Sequence, residues 1–475
     1  MLFSSTHYAA LLLGAFAGYW ALAGALPEKR TLRHAFLLAV SYFFYATWNQ
    51  RFLALIFATS TQDYAIGRLL GRAERPAARR ALLAASVVLD LGVLGAFKYF
   101  NFFAESLVTL LAALGITAEP WHLELLLPVG ISFYTFQTLS YTIDVYRRRL
   151  EPTRNYVDYL LFVAFFPQLL AGPIARASGF LPQLRKAPAL ASARASRAVF
   201  FIGVGLVKKI GIADVLGAHL VNPVFSNPEM YSAVEALAAV YGYTFQIYAD
   251  FSAYSDIAIG SAALLGFELP RNFDAPYRAA SLREFWQRWH ISLSSWLRDY
   301  LYIPLGGSRH GVVRTYLALI ATMFLGGLWH GAAATFVAWG LIHGCALVVT
   351  RVVQRSGLPE ALPSWVARAL GVFVTFHVVA AAWVFFRAPS FDVALAVFRA
   401  IASLEISAAN LALPALIALA LAVATHAVPD GWCERIISIF HKIPAPFQAA
   451  LLVGAVLAVR KIASVDVAPF IYFQF

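Results

Sequence analysis

The sequence FWQRWH at residues 285–290, followed by LWHG at residues 328–331, decides how this chain is expected to fold. Each stretch places a histidine next to a tryptophan inside a region that is otherwise apolar enough for lipid. An ionisable side chain in a membrane faces the interior of the protein, where it meets a partner or a water-filled cavity. The remaining chain is therefore interpreted as a scaffold that holds His290 and His330 within the membrane.

The composition around these stretches is that of a polytopic membrane protein. Of 475 residues, 60% are hydrophobic and 13% are charged, and the mean hydropathy is +0.69, whereas soluble proteins have about 25% charged residues. Apolar stretches recur from residue 8 to residue 464, and each membrane span needs about 20 residues. We predict an all-α polytopic fold in one integral membrane domain over residues 1–475. Because residues 1–8 lack the basic region of a cleavable signal, the first span is expected to remain as an anchor.

Positive charge indicates which side of the membrane each connection faces. The formal net charge of +12 is concentrated in short connections between apolar stretches, as the positive-inside rule predicts. Binding to nucleic acid is therefore not expected. The basic connection at residues 28–33 follows the first span, which places the N-terminus outside. Cys345 and Cys433 form neither a disulfide framework nor a CxxC motif, and no metal site is expected.

Several spans are expected to be short or interrupted. Residues 35–67 are too long for one ordinary span and contain the polar sequence WNQR at 48–51, so we predict two short passes. Residues 81–97 and 102–116 are separated by KYFN at 98–101, which is predicted to be an interfacial break. Such interruptions are tolerated where protein or a wet cavity satisfies the backbone.

Polar groups also occur inside the apolar stretches. The span that starts at Pro128 is rich in Ser, Thr and Tyr, whose polar groups must find partners inside the bundle. FFPQ at 165–168 and AGP at 171–173 break an apolar segment of only about 15 residues, which is predicted to be re-entrant or interfacial because it is too short for a full span. Residues 174–198 are predicted to form a cytoplasmic loop.

Two lysines and two aspartates stand in apolar surroundings. Lys208 and Lys209 are expected to extend along the membrane toward the interface. Asp250 and Asp256 are costly in hydrocarbon and are expected to face the protein interior.

A helix is predicted to begin next to Ser281, because Ser281 and Glu284 have the spacing of a capping box. On that helix, Trp286, His290 and Ser294 would share one face at four-residue spacing. The first histidine and two neighbours are thus expected to face the same way.

A neutral histidine can take a proton from a hydroxyl group and return it to a leaving thiolate, which acyl transfer requires near neutral pH. The alternative for one such residue is structural, as a buried histidine that only hydrogen-bonds to a neighbouring helix. Two histidines in polar clusters favour the catalytic interpretation of His290 and His330, whereas His343 and His377 lack such surroundings and are expected to be structural. No HExxH, GxSxG, Walker or GxGxxG motif is present, which disfavours metalloproteases, serine hydrolases, nucleotidases and dinucleotide-binding enzymes.

Much of the chain resembles the membrane-bound O-acyltransferase (MBOAT) family, in its bacterial alginate O-acetylase-like branch. The resemblance is carried in order by LPVGISFYTFQTLSYTIDVYR (127–147), FPQLLAGP (166–173), YTFQIYADFSAYSDIAIG (243–260), FWQRWHISLSSWLRDYLYIPLGG (285–307) and residues 324–344. Beyond residue 345 it lies mainly in hydropathy and in the closing FIYFQF.

The resemblance implies that His330 is the catalytic histidine of the family and His290 its second active-site position. It also implies a ring of roughly 11 or more transmembrane helices, with re-entrant and interfacial helices, around a thin central channel. The catalytic region would cover about residues 243–345, with a cytoplasmic opening for an acyl-CoA donor and an opposite opening for the acceptor. Further residues expected around the substrates are Trp286, Trp289, Ser294, Arg298, Asp299, Trp329 and Asp256.

The resulting hypothesis is an O-acetyltransferase of the bacterial inner membrane, surrounded by lipid and without a bound cofactor. It would move an acetyl group from cytoplasmic acetyl-CoA to an extracytoplasmic polysaccharide, directly or through a periplasmic partner. Alginate-like exopolysaccharide, cellulose and peptidoglycan all fit as acceptors. Teichoic-acid or protein acceptors and a long fatty acyl donor are alternatives. A transporter or channel is the alternative from another class, because Asp250, Asp256, Lys98 and the broken helices would also suit one.

Overall fold

The computed structural model describes residues 2–170, 172–429, 431–463 and 468–471. Within these ranges the backbone forms helices and connecting segments but no strand, which confirms the predicted all-α class. Contacts divide the chain into two compact units, Met1–Arg194 with Ser261–Pro270 and Ala195–Gly260 with Arg271–Phe475. That residues 1–475 act as one domain remains a prediction.

The first unit consists of helices joined by turns and one longer coil. They are α1 (Thr6–Ala25), α2 (Arg30–Ala46), α3 (Arg51–Arg72), α4 (Pro76–Leu94), α5 (Phe100–Ala113), α6 (Ile131–Tyr146), α7 (Tyr156–Ala164), α8 (Phe166–Leu169) and α9 (Ala177–Leu184). The interruption between α2 and α3 at residues 47–50 confirms the predicted break. The break predicted at 98–101 is wrong, because α4 continues into α5 through a π-helical turn at Gly95–Tyr99. This single π-helical turn keeps α4 and α5 continuous at the polar residues that suggested a helix end.

Helix α6 is buried on all sides although it is rich in hydroxyl groups. Thr138 donates a hydrogen bond of 3.2 Å to Asp90 of α4, and Ser140 donates one of 2.8 Å to the Gln137 carbonyl. The prediction that these polar groups find partners inside the bundle is confirmed for both side chains.

The segment after α6 contains more helix than the sequence suggested. Helices α7 and α8 have nine and four residues and are buried, so neither is long enough to span a membrane. The segment 174–198, predicted to be a cytoplasmic loop, contains α9 and the start of the next helix, and its place in the cytoplasm stays a prediction. Helix α9 forms because Phe180, Leu181 and Leu184 give it a buried apolar face.

The second unit carries both histidine stretches. The helices that lie wholly or mainly in it are α10 (Ser192–Val207), α11 (Asp214–Leu216), α12 (Asn222–Ser226), α13 (Ala233–Leu264), α14 (Leu282–Arg288), α15 (Ile291–Leu297), α16 (Val312–His330), α17 (Ala334–Arg355), α18 (Ser364–Arg387), α19 (Phe391–Ala402), α20 (Leu413–Ala427), α21 (Trp432–His441) and α22 (Ala445–Ala463). Three π-helical turns interrupt this series at Lys208–Ala213, Gly217–Val221 and Arg298–Tyr302.

Lys208 and Lys209 form ion pairs with acidic side chains instead of the extension toward the interface that was predicted; the pairs of Lys209 are buried and that of Lys208 is partly exposed. The Lys209 Nζ lies 2.9 Å from a carboxylate oxygen of Asp214 and 2.9 Å from one of Asp250, and all three side chains are at most 4% exposed. The Lys208 Nζ lies 2.7 Å from Asp256. The prediction failed because α13 offers carboxylate partners inside the protein. Asp250 and Asp256 do face the interior, as predicted.

Phe470 and Ile471, near the C-terminal end of the described chain, are buried in this second unit. The Ile471 N–H donates a hydrogen bond of 2.8 Å to the Asp250 Oδ2 atom. The Phe470 ring centroid lies 4.0 Å from that of Tyr254 and 5.6 Å from that of Phe251. The end of the described chain is therefore part of the core around α13.

Five helical segments of the described chain are long and apolar enough to cross a membrane. They are α1, α4 together with α5, α16, α17 and α18, and the bent pair of α20 and α21 would add a sixth. The predicted multi-pass character is supported, whereas the ring of 11 or more helices remains a prediction.

Candidate active site

Helix α14 begins at the capping box that the sequence predicted. The Ser281 hydroxyl oxygen accepts a hydrogen bond of 3.2 Å from the Glu284 N–H, and the Glu284 carboxylate accepts one of 2.8 Å from the Ala280 N–H. Glu284 also pairs with Arg288 one turn later, at 3.0 Å. These contacts fix the helix that leads to His290.

The helix ends before His290, so the prediction of one continuous helix face is wrong. His290 separates α14 from α15 and has φ 41° and ψ 56°, the left-handed conformation. Asn272 holds this turn, since its backbone oxygen accepts a bond of 2.9 Å from the Ile291 N–H and its side-chain oxygen accepts one of 2.8 Å from the Ser292 hydroxyl. Left-handed residues other than glycine are uncommon and persist where surrounding contacts enforce them.

The His290 ring is fully buried. Its centroid lies 4.6 Å from that of Phe251 and 6.2 Å from that of Trp329. Burial lowers the pKa of His290 to about 3. The imidazole is therefore uncharged near neutral pH and can act as a hydrogen-bonding group, not as a cation.

Helices α16 and α17 form a hairpin whose backbones touch, and this contact positions His330. A Cβ atom on Gly340 would lie 2.4 Å from the Met323 carbonyl oxygen, and one on Gly327 would lie 2.3 Å from the Phe336 carbonyl oxygen. Small residues at helix contacts of membrane proteins allow this approach. Gly327 and Gly340 therefore serve helix packing, and α16 ends at His330.

His330 lies in an aromatic enclosure and is 5% exposed. Its ring centroid is 4.9 Å from that of Trp329, 5.0 Å from that of Trp339 and 5.2 Å from that of Phe386. Because Trp329 contacts both histidines, His290 and His330 occupy one aromatic region.

His343 lies next to this region, although the sequence analysis assigned it to structure. Its ring is fully buried, with centroids 4.8 Å from Trp339 and 5.1 Å from Trp286. Neither ring nitrogen of His343 has a hydrogen-bond partner among the described residues. The signal available in the sequence was the four-residue spacing of Trp339, His343, Leu347 and Arg351, which places them along one face of α17.

A cavity of about 700 Å³ adjoins the aromatic region, between α14, α15, α16 and α17. Trp286, Ser294 and Arg298 line it, so three of the predicted pocket residues meet there. Leu319, Met323 and Leu347 give it an apolar wall.

The same cavity is rich in positive charge. Arg283, Arg298, Arg351 and Arg355 line it, and no acidic side chain of the described chain does. Most basic residues were interpreted from the sequence as a topological signal, and of these four arginines only Arg298 was expected near a substrate. Guanidinium groups bind phosphate oxygens through paired hydrogen bonds, so this lining suits an anionic, phosphate-bearing ligand.

The other predicted pocket residues lie elsewhere in the second unit. Trp289 is buried and stacks on Phe285 at 5.6 Å. Asp299 accepts a hydrogen bond of 2.7 Å from Arg298, and Asp256 pairs with Lys208. Their roles toward a substrate remain predictions. Among the described residues, no three His, Cys, Asp or Glu side chains are placed to hold a metal ion.

Comparison with known proteins decides the family. The model of the membrane-bound O-acyltransferase family, MBOAT, matches residues 147–386, which include both histidines and the arginine-lined cavity. The chain belongs to the membrane-bound O-acyltransferase family. As an MBOAT protein it is a multi-pass membrane O-acyltransferase, and the transporter alternative is set aside.

Several MBOAT relatives are similar over most of their length. A probable alginate O-acetylase AlgI from Azotobacter vinelandii is 42% identical over 405 residues, covering 85% of this chain and 78% of that protein. One from Pseudomonas aeruginosa is 42% identical over 423 residues, covering 86% and 78%. A peptidoglycan O-acetyltransferase from Helicobacter pylori is 34% identical over 416 residues, covering 82% and 77%.

Proposed function

We propose that this MBOAT protein O-acetylates an extracytoplasmic polysaccharide, with cytoplasmic acetyl-CoA as the acetyl donor. The observation that carries the proposal is the 42% identity to probable alginate O-acetylases over 85% of the chain. An alginate-like exopolysaccharide is the acceptor that these relatives favour, with peptidoglycan or cellulose next. A teichoic acid D-alanyltransferase from Streptococcus thermophilus is only 28% identical over 60% of the chain, which supports polysaccharide over teichoic acid.

His330 is the proposed general base. Its imidazole takes the proton of an acceptor hydroxyl while the hydroxyl oxygen attacks the thioester carbonyl carbon. The C–S bond then breaks, the acetyl group stays on the acceptor oxygen, and the imidazolium returns the proton to the departing thiolate. Transient acetylation of His330 is the alternative route. The enclosure by Trp329, Trp339 and Phe386 supports this role, because it excludes bulk water that would hydrolyse the thioester.

His290 is the proposed positioning partner of His330. It is neutral and buried, so it can orient a substrate by donating or accepting a hydrogen bond without adding a charge. Trp329 contacts both rings, which supports a joint role.

The arginine-lined cavity is the proposed entrance for the donor. Four guanidinium groups would hold the phosphates of acetyl-CoA at one end of α17, while His330 lies near the other end. We further propose the bacterial inner membrane as the location, with the N-terminus outside. A ring of helices around a thin centre would let the donor and acceptor arrive from opposite faces, and a periplasmic protein could carry the acetyl group onward.

The test is release of free thiol from acetyl-CoA by detergent-purified protein, wild type beside His330→Ala. Release that needs His330 is expected, with a loss of at least about 100-fold in the variant, the usual contribution of a general base. Unchanged release by a folded His330→Ala protein would remove His330 from the chemistry. No release by the wild type, even with an alginate oligosaccharide present, would overturn acetyl-CoA as the donor.

A further inference from the structure

Five buried nitrogen atoms without hydrogen-bond partners lie together beside His330. They are both ring nitrogens of His343 and the indole Nε1 atoms of Trp286, Trp339 and Trp383, none of which has a partner among the described residues. Nearly all buried polar atoms in proteins are hydrogen-bonded, so a cluster of exceptions needs an explanation. A polar ligand that enters during the reaction would supply the missing partners.

The rings that carry these nitrogens form one contiguous group. The His343 centroid lies 4.8 Å from that of Trp339, 5.1 Å from that of Trp286 and 6.3 Å from that of Trp383. Trp339 in turn contacts His330 at 5.0 Å. The group therefore reaches the proposed general base on one side.

The same group reaches the arginine-lined cavity on the other side. Trp286 lines that cavity and also contacts His343. Along α17, Trp339, His343, Leu347 and Arg351 recur at four-residue intervals, and the last two line the cavity. At 1.5 Å per residue, this face covers about 18 Å from Trp339 to Arg351. On α17, His343 therefore lies between Arg351, which lines the cavity, and Trp339, which contacts His330.

The chemistry of His343 matches the part of the donor that would lie there. The pantetheine arm of coenzyme A contains secondary amides, each with one N–H donor and one carbonyl acceptor. A neutral imidazole also offers one donor and one acceptor, while indoles offer donors only. Phenylalanine or leucine would fill this aromatic space equally well, without leaving polar atoms unpaired.

We propose that His343 is a donor-binding residue, which hydrogen-bonds an amide of the pantetheine arm between the arginine-lined cavity and His330. The Trp286 and Trp339 N–H groups complete this polar lining, and the arm reaches it past Trp286. This inference rests on the proposed function, since it assumes a coenzyme A thioester as donor.

The test compares His343→Phe, which keeps the ring but loses both nitrogens, with His343→Gln, which keeps a donor and an acceptor. We expect His343→Phe to raise the KM for acetyl-CoA about five- to tenfold, because the loss of one hydrogen bond weakens binding of the donor by about that factor. The kcat should be nearly unchanged. His343→Gln should stay within about threefold of the wild type. His377→Phe is the matched control, because His377 is hydrogen-bonded to Tyr241 at 2.8 Å and lines a different cavity. The KM of His377→Phe for acetyl-CoA should equal that of the wild type.

A second donor separates binding from damage to the fold. S-Ethyl thioacetate has the same acetyl thioester but no amide, so His343→Phe should leave its turnover unchanged. An equal loss with both donors would make His343 structural, and an unchanged KM for acetyl-CoA in His343→Phe would overturn the proposal. If His343→Phe does not fold, Trp286→Phe carries the same test through its lost N–H group, with a smaller rise in KM expected.

Thiol release by the wild type and by His330→Ala shows whether the proposed donor or only the role of His343 is wrong. If wild-type protein releases thiol in a His330-dependent way and His343→Phe behaves as wild type, only the role of His343 is wrong. If wild-type protein releases no thiol from acetyl-CoA, the proposed donor is wrong and the role of His343 falls with it.

Discussion

The backbone of His290 adopts a conformation that few side chains tolerate, and this separates two roles of the residue. With φ 41°, the turn between α14 and α15 restricts which residue can stand there, independently of the chemistry of the ring. Asparagine adopts left-handed conformations more readily than most residues, whereas β-branched residues are outliers there. The turn and the ring can therefore be tested apart.

We predict that His290→Asn folds like the wild type but loses acyl transfer, because it keeps the turn and removes the imidazole. His290→Val should instead be destabilised by about 1–3 kcal/mol, the usual range for backbone strain, and should melt a few degrees lower. Thermal unfolding in detergent and thiol release from acetyl-CoA measure the two effects. Wild-type turnover by His290→Asn would leave the residue with a structural role alone.

Some residues of the aromatic region were recognised as candidates from the sequence, and others were not. His290 and His330 were recognised because each stands beside a tryptophan in a polar cluster, and the structure brings both to Trp329. His343 was expected to be structural because its neighbours at positions 342 and 344 are apolar or small. The fold places Trp286 of α14 and Trp339 of α17 against its ring. The four-residue spacing of Trp339 and His343 is visible in the sequence, whereas the contact with Trp286 of another helix leaves no local pattern.

At the scale of elements, the α16–α17 hairpin fixes where His330 stands. The two helices touch at glycines 327 and 340, so any side chain at either position must separate them. Their contact leaves no room for relaxation, because backbone atoms of Met323 and Phe336 are the neighbours.

We predict that Gly340→Ala lowers both stability and activity, because the new methyl group would overlap the Met323 carbonyl. Overpacking of this kind costs about 1–3 kcal/mol, and the resulting shift of His330 should reduce turnover about tenfold or more. Gly92→Ala in α4 is the matched control, since a Cβ atom there meets nothing within 4 Å. Equal melting temperatures and rates for the two variants would show that the hairpin contact is not what positions His330.

Element boundaries followed the sequence where polar residues coincide with helix signals and departed where packing overrides them. The capping box at Ser281 and the break between α2 and α3 were predicted correctly. The end of α14 before His290 was not, because residues of the segment around Asn272 enforce the turn. The π-helical turn after α4 was also missed, since a polar cluster looks the same whether the helix stops or widens.

At the scale of the whole molecule, the basic residues have two functions. Lys29 at the end of the α1–α2 connection and Arg30 and Arg33 in the first turn of α2 are the charges from which the orientation was predicted. Arg33 is nevertheless 3% exposed and donates hydrogen bonds to the Leu26 and Pro27 carbonyls at 3.0 and 2.6 Å. It thus satisfies the end of α1, as basic side chains at helix C-termini do. A sequence count of positive charge does not separate such contacts from the topological signal.

We predict that the N-terminus lies outside and the α1–α2 connection inside. In a Cys345→Ser/Cys433→Ser background, a membrane-impermeant maleimide should label His7→Cys in spheroplasts and should label Glu28→Cys only after lysis. Both positions are exposed, so accessibility within the protein does not limit the reaction. The opposite labelling pattern would reverse the orientation and would move the donor entrance to the outer face.

The insertion of Phe470 and Ile471 into the core has a consequence for biogenesis. Phe470 contacts Phe251, which contacts His290, so the surroundings of His290 are incomplete until residue 470 has been made. Residue 470 follows residue 290 by 180 positions, and at 5–20 residues per second the ribosome needs roughly 10 to 40 s for that length. The membrane spans that flank the histidines are therefore synthesised well before the surroundings of His290 are finished, and a nascent chain stalled in between would be inserted without the contact of Phe470 with Phe251.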